Sequence, residues 1–241
     1  MSDFQDLIRA EAARMSEIGP DHLDLEIPHI DGWHVRSVIG HTAWVLRYAT
    51  LVLDADPSDP PSRSAVPEPP PGPEVLDWFT EAATSLQAKL ADTDMDALRP
   101  TFTGPQPSSW WARRLAHELS MHRWDAESAF TSPEPIDARQ AKDGIDEVFE
   151  VFTPHRMQFD ELAGNGETVH LHATDIDDGE WFLTYGPDAV TWEHAHAKGD
   201  VAVRGPVADL LLMMWGRLPC SRLELFGDAS LIDRWQSSAA F

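Results

Sequence analysis

A single cysteine, Cys220, in 241 residues leaves no partner for an internal disulfide and excludes a cysteine-rich zinc module. Long hydrophobic runs are missing too. No stretch approaches the roughly 18 uncharged apolar residues of a membrane span, and Met1-Ser2-Asp3-Phe4-Gln5-Asp6 has neither the basic region nor the apolar run of a secretory signal. The expectation is a chain with no membrane association, cytoplasmic by default. Basic residues are scarce, 18 against 41 acidic ones, a formal net charge of −23. Nucleic-acid backbones and anionic lipid both demand a basic patch, and the longest local run is Arg113-Arg114. Neither is expected as a partner. Any metal must therefore be held by histidine and carboxylate, and eleven histidines leave that open.

The 42% apolar fraction is ordinary for a globular protein, and a chain of this length buries a core without disulfide help. Residues 3–18 read as a helix, with Phe4, Leu7, Ile8, Ala12 and Met15 at helical spacing. A second helix is predicted over 34–54, where Val38, His41, Val45, Tyr48 and Val52 share a face. Eight prolines fall between Pro57 and Pro73, which excludes helix and central strand and predicts an extended surface loop. Further helices are predicted over 74–92, 108–130 and 137–157. Near 164 the period changes from helical to alternating: 169–172, 181–185 and 201–203 read as strands with turns between them. Pro206 then opens a helix closed by Gly216, Leu223 to Phe226 is a last strand, and Gly227-Asp228 starts a final helix. The division predicted is an all-helical part, 1–160, and a small α+β part, 161–241.

The chemistry concentrates between Trp111 and Asp125. On a wheel of about 100° per residue, Trp111, Leu115, Leu119 and Ala126 form the core face, and Glu118 and His122 lie within or at the edge of the same arc. His117 points well away and is expected at the surface. A carboxylate and an imidazole in an apolar stripe are expensive unless paired or ligated. Glu-x3-His sets two donors one turn apart, a geometry that suits a divalent metal. A third donor must come from elsewhere, and His41, in the stripe of the second helix, is the best candidate. The bland alternative is a Glu–His helix pair worth a few tenths of a kcal/mol, with His41 a hydrogen-bonded core residue. The protease pattern H-E-x-x-H is excluded, because the residue four after His117 is Met121.

Several segments carry a resemblance. Gly32-Trp33-His34 through Gly40-His41, His117-Glu118 through His122-Arg123-Trp124-Asp125, Leu210-Leu211-Leu212 to Trp215-Gly216-Arg217, and Gly227-Asp228 to Arg234-Trp235 together resemble the mycothiol-dependent maleylpyruvate isomerase family, a branch of the DinB-like metalloenzymes. The resemblance implies a DinB-like four-helix bundle followed by a small sterol-carrier-protein-like α+β domain. It implies zinc, or nickel, held by His41, Glu118 and His122, with mycothiol as the thiol whose pKa the metal lowers. The partners implied are that low-molecular-weight thiol and a small electrophile: maleylpyruvate for an isomerase, another for a thiol S-transferase. A non-catalytic metal- or thiol-binding module and a metal-dependent hydrolase are the alternatives. Arginines suit substrate carboxylates. Arg217 is the first candidate for a catalytic role, and Arg113 and Arg123 are candidates for substrate binding, although packing and ion pairing also account for Arg123. His34 stands where the family usually has an N-capping Ser or Thr. Seven residues before His41, it is expected to line the pocket rather than ligate.

Overall fold

Four amphipathic helices answer to the four helical periodicities of the first half: α1 (Asp3–Ser16), α2 (Val35–Val52), α3 (Val75–Asp92) and α4 (Ser108–Ser128). In the computed structural model, which describes residues 3–155 and 162–238, α2 packs on α3 and α4, and α1 packs on α4 and α3. Ile8, Met15, Val38, Ile39, Leu46, Phe79, Leu86, Leu115 and Leu119 fill the space between them and are essentially inaccessible. This is the four-helix arrangement that the resemblance implies.

Helix α4 is buried on nearly every side, with Arg114, His117, Ser120, His122, Arg123 and Asp125 among its buried residues. Its first turn is held by a two-stranded hairpin, β1 (Leu98–Arg99) and β2 (Gln106–Pro107). The amides of Ser108 and Ser109 donate to the carbonyls of Ala97 and Met95 at 2.9 Å, satisfying donors that a helix start otherwise leaves open. The surface reading of His117 is corrected here. Its ring is 7% exposed and meets Phe4 of α1 edge-on at 6.1 Å, because α4 has partners on two sides and a wheel with one core face does not describe it.

The proline-rich segment lies along one stripe of α2. Arg36 donates to the Pro71 carbonyl, Pro69 crosses at Gly40, the Arg63 guanidinium stacks 4.8 Å from the Trp44 ring centre, and Tyr48 Oη donates to the Pro61 carbonyl at 3.1 Å. The spacing 36, 40, 44, 48 is one face of a helix. The segment is irregular, as predicted, with one short 3₁₀ turn at Arg63–Ala65.

The second unit begins with α5 (Ala138–Glu147), where the Asp137 carboxylate caps the amides of Arg139 and Gln140. A five-residue π-helical stretch (Val148–Phe152) and a single turn (Thr153–His155) follow, in place of the continuous helix predicted over 137–157, whose last two residues lie outside the described ones. A five-stranded sheet then forms from β3 (Glu167–Ala173), β4 (Glu180–Tyr185), β5 (Val190–Glu193), β6 (Val201–Gly205) and β7 (Glu224–Gly227), in the order β5-β4-β3-β6-β7. Only the β3–β6 pair is parallel. Helix α6 (Val207–Met214) packs on β3, β6 and α5, and also meets α7 (Ser230–Ser238). Gly216, at φ 70°, ends α6: its amide donates to the Met213 carbonyl and that of Arg217 to Leu212, the two bonds of a Schellman cap.

Two expectations are corrected. The chain divides between Glu134 and Pro135, not near 160, a position that itself falls in 156–161, outside the described residues. The reason is that α5, read as the last helix of the bundle, buries its apolar face on α6. Strand β5 was not predicted, although Val190-Thr191-Trp192-Glu193 alternates apolar and polar just as 169–172 does.

Candidate metal centre

Helices α2 and α4 bring His41, Glu118 and His122 together. His41 Nε2 lies 3.0 Å from Glu118 Oε1 and His122 Nε2 lies 3.3 Å from the same oxygen, while the two imidazole rings meet edge to face at 4.9 Å. One donor atom from each of the three lies within 4.8 Å of the others. Two nitrogens converging on one carboxylate oxygen is the donor set a divalent ion such as zinc takes, and three protein donors leave coordination for a further ligand. The residues present fit the metal that the resemblance implies. Access is from the α2 side, because the His41 side chain is 40% exposed and those of Glu118 and His122 are 16% and 11%. His41 is therefore at the rim of its helix's apolar stripe rather than in its centre.

The surroundings hold these side chains in place. His122 Nδ1 faces Asp125 Oδ2 at 2.9 Å, and the other oxygen of Asp125 is 2.7 Å from His29 Nε2. Asp125 has no solvent exposure. Arg114 Nη2 donates to Glu118 Oε2 at 3.1 Å, and the Trp33 ring stands edge-on to His41 at 5.5 Å. Burial disfavours the charged form of His122, but the Glu118 carboxylate and the Asp125 hydrogen bond outweigh it and raise the imidazole to about 9. Burial likewise opposes ionisation of Glu118, yet His122, His41 and Arg114 hold it well below the usual carboxylate range. Without metal, the pair is an imidazolium and a carboxylate.

The other predicted site residues fall into different surroundings. Arg123 is 1% exposed and bound to three acceptors: Nε donates to Glu11 at 2.8 Å, and Nη1 to Glu127 at 3.1 Å and to the Glu134 carbonyl at 2.7 Å. Packing and ion pairing describe these contacts. His34 is the N-cap of α2, with its amide donating to Ser37 Oγ at 3.3 Å. Arg113 is half-buried on α4. Arg217 is in the second unit, just past the cap of α6, where Nη1 donates to the Trp215 carbonyl at 2.8 Å. A cleft of about 350 Å³ in the bundle is lined by Arg14, His22, Glu127 and Phe130 among others, and none of the three candidate ligands borders it. Sequence reasoning assigned no site role to Asp125, His29 or Arg114. The signal for Asp125 was its position, three residues after His122 and thus on the same helix face; His29 lies in a loop and offered none.

Two family models match the chain. Residues 4–127 match that of the mycothiol maleylpyruvate isomerase N-terminal domain and residues 139–234 that of the corresponding C-terminal domain. Among solved structures, the crystal structure of the mycothiol-dependent maleylpyruvate isomerase is similar, with a TM-score of 0.64 at 16% identity over 92% of this chain and 91% of that one. A histidine-to-alanine mutant of that isomerase aligns with the same TM-score at 15% identity, over the same shares. At such identities the structural likeness carries the fold. No curated protein matches the chain by sequence.

Proposed function

Because the chain belongs to the mycothiol maleylpyruvate isomerase family, we propose that it is an enzyme that holds a divalent metal, zinc or nickel, on His41, Glu118 and His122 and uses a low-molecular-weight thiol, mycothiol in the first instance, to act on a small electrophile. The reaction proposed first is cis–trans isomerisation of maleylpyruvate, and thiol S-transfer is the variant. The observation that carries the reading is the convergence of three donors from two helices on one point, in a chain of this family.

When bound, the metal supplies Lewis acidity that lowers the pKa of a thiol and makes a thiolate available near neutral pH. The residues around it have separate tasks. His41 and His122 offer Nε2, and Glu118 offers Oε1. Asp125 accepts the Nδ1 proton of His122 and so leaves Nε2 as the donor atom, and His29 holds Asp125 in turn. Arg114 partly neutralises Glu118 through Oε2 without occupying Oε1. Arg217 remains the first candidate for a catalytic role in this proposal, as an arginine suited to a substrate carboxylate.

The decisive assay follows the absorbance of maleylpyruvate with and without mycothiol, using metal-loaded protein. A thiol-dependent change that is lost in His122→Ala supports the isomerase. No change, together with conjugation of a model electrophile, moves the reading to S-transferase. Neither activity, in protein that retains its metal, overturns the enzymatic reading.

A further inference from the structure

The sheet of the second unit carries a second convergence of donors, outside the family's site. His170 and His172 are two apart on β3, on the face opposite Val169, Leu171 and Ala173, which are buried on the side that α6 covers. Glu180 on β4 is the direct cross-strand partner of His172. His196 comes from the segment 194–200 that links β5 to β6.

That link has an unusual course. In the order β5-β4-β3-β6 it must pass β4 and β3 to reach β6, about 14 Å at the usual strand spacing, within the roughly 23 Å that seven residues can span. Glu193, at the end of β5, is level with Phe182 and thereby with His170, and Val201, at the start of β6, pairs with Val169. The link therefore crosses the sheet at the level of His170, which is 6% exposed on the face opposite the one that α6 covers. Its ends are fixed: His194 Nδ1 donates to the Glu180 carbonyl at 3.1 Å, and Asp200 Oδ2 accepts from the amide and hydroxyl of Thr168, each at 2.8 Å.

At the middle of the link, three imidazoles address one carboxylate. His172 Nδ1 is 2.9 Å from Glu180 Oε1, and His196 Nδ1 and His170 Nε2 are 2.7 and 3.3 Å from Oε2. The rings stand edge to face, 5.3 to 6.1 Å apart, and one donor atom from each of the four residues lies within 4.8 Å of all the others. A carboxylate needs no third imidazole to satisfy it, whereas three imidazoles and a carboxylate are a full set for a four-coordinate ion. Arg204, next to His172 on β6, does not intrude: it pairs with Glu224 on β7 at 3.1 Å.

We propose that His170, His172, Glu180 and His196 bind a divalent transition-metal ion, zinc by the chemistry of the set, which pins the 194–200 crossover to the sheet. Four protein donors make it a closed, structural type of site, in contrast to the three-donor centre of the bundle. The signal was present in the sequence as His-x-His on a strand, but Glu180 and His196 join it only through strand register and crossover.

The test is elemental analysis of untagged full-length protein, stripped with chelator, reloaded with zinc and gel-filtered. Two ions per chain are expected, one in His196→Ala, one in His122→Ala, and none in the double variant. The His196 side chain is 76% exposed, so its removal leaves the fold intact, and His172→Gln, with a circular-dichroism spectrum to confirm folding, gives an independent loss of the same ion. Zinc content unchanged by His196→Ala and His172→Gln overturns the proposal. One ion that is lost with His122→Ala alone overturns it too and leaves the bundle site standing. One ion that is lost with His196→Ala alone supports it and defeats the bundle site instead.

Discussion

His122 and Asp125, three residues apart on α4, are joined by a 2.9 Å hydrogen bond from Nδ1 to Oδ2, and that bond turns the opposite nitrogen of the imidazole toward Glu118 and His41. The carboxylate is wholly buried, so it orients the ring in a low-dielectric setting. The expected effect of Asp125→Ala is a loss of zinc affinity of about 10- to 100-fold at the bundle site. Competition against a chromophoric chelator, in the His196→Ala background, measures it. An unchanged affinity would show that Asp125 only packs.

Metal binding at this site releases protons. In the metal-free protein His122 is raised to about 9, above its ordinary 6.5, so at pH 7 it carries a proton that a metal must displace. The affinity of the site therefore rises with pH by about tenfold per unit up to about 9 and levels off beyond it. Titration calorimetry at pH 7 in buffers of different ionisation enthalpy should give close to one proton released from His122 per ion bound. Zero release contradicts the imidazolium–carboxylate pair.

Arg123 is a structural ion-pair residue. Truncating one member of a buried pair leaves its partners uncompensated, so Arg123→Ala should lower stability by about 3–5 kcal/mol in urea denaturation. Metal content per folded chain should be unchanged. A loss of substrate affinity without loss of stability would favour the substrate-binding role instead.

The proline-rich segment depends on a glycine. A Cβ on Gly40 would stand 2.9 Å from Pro69 Cβ and 3.5 Å from a methyl of Val75, and overpacking of this kind costs about 1–3 kcal/mol. Gly40→Ala is expected to lower the melting temperature and to speed proteolysis within 57–73, since the segment must lift off α2. Wild-type cleavage rates in the variant would show that the crossing is not tight.

Arg217 tests the substrate side of the proposed function. A charge-assisted contact to a carboxylate contributes about 1.5–3 kcal/mol, so Arg217→Ala should reduce kcat/KM for an acidic electrophile about 10- to 100-fold, with metal content unaltered. An equal loss with an uncharged electrophile would remove the carboxylate from the explanation.

Much of this was legible from residue order. Apolar spacing set α1 to α4, the prolines set the irregular 57–73 segment, and Pro206 and Gly216 bracketed α6 within a residue. Glu118 and His122 paired on one turn of one helix, so a local rule was enough to find them. His41 is 77 residues from Glu118, and the sequence nominated it only as a polar residue in an apolar stripe, with the family resemblance adding weight. His117 was misread, and Arg123 was left with two candidate roles, for one reason. Periodicity reports how polar a helix face is, and α4, enclosed on several sides, buries polar faces by pairing them.

The sequence by itself determined most of the helices and strands, though not β5, the β1–β2 hairpin or the break after α5, and that any metal here is held by histidine and carboxylate, because those properties are local or compositional. Tertiary structure decided which donors meet. It placed α2 against α4 so that His41 reaches Glu118, assigned α5 to the second unit by packing it on α6, and passed the 194–200 link over β3 so that His196 reaches Glu180. Each of these depends on how elements distant in the chain pack or pair, and no window along the sequence contains that information.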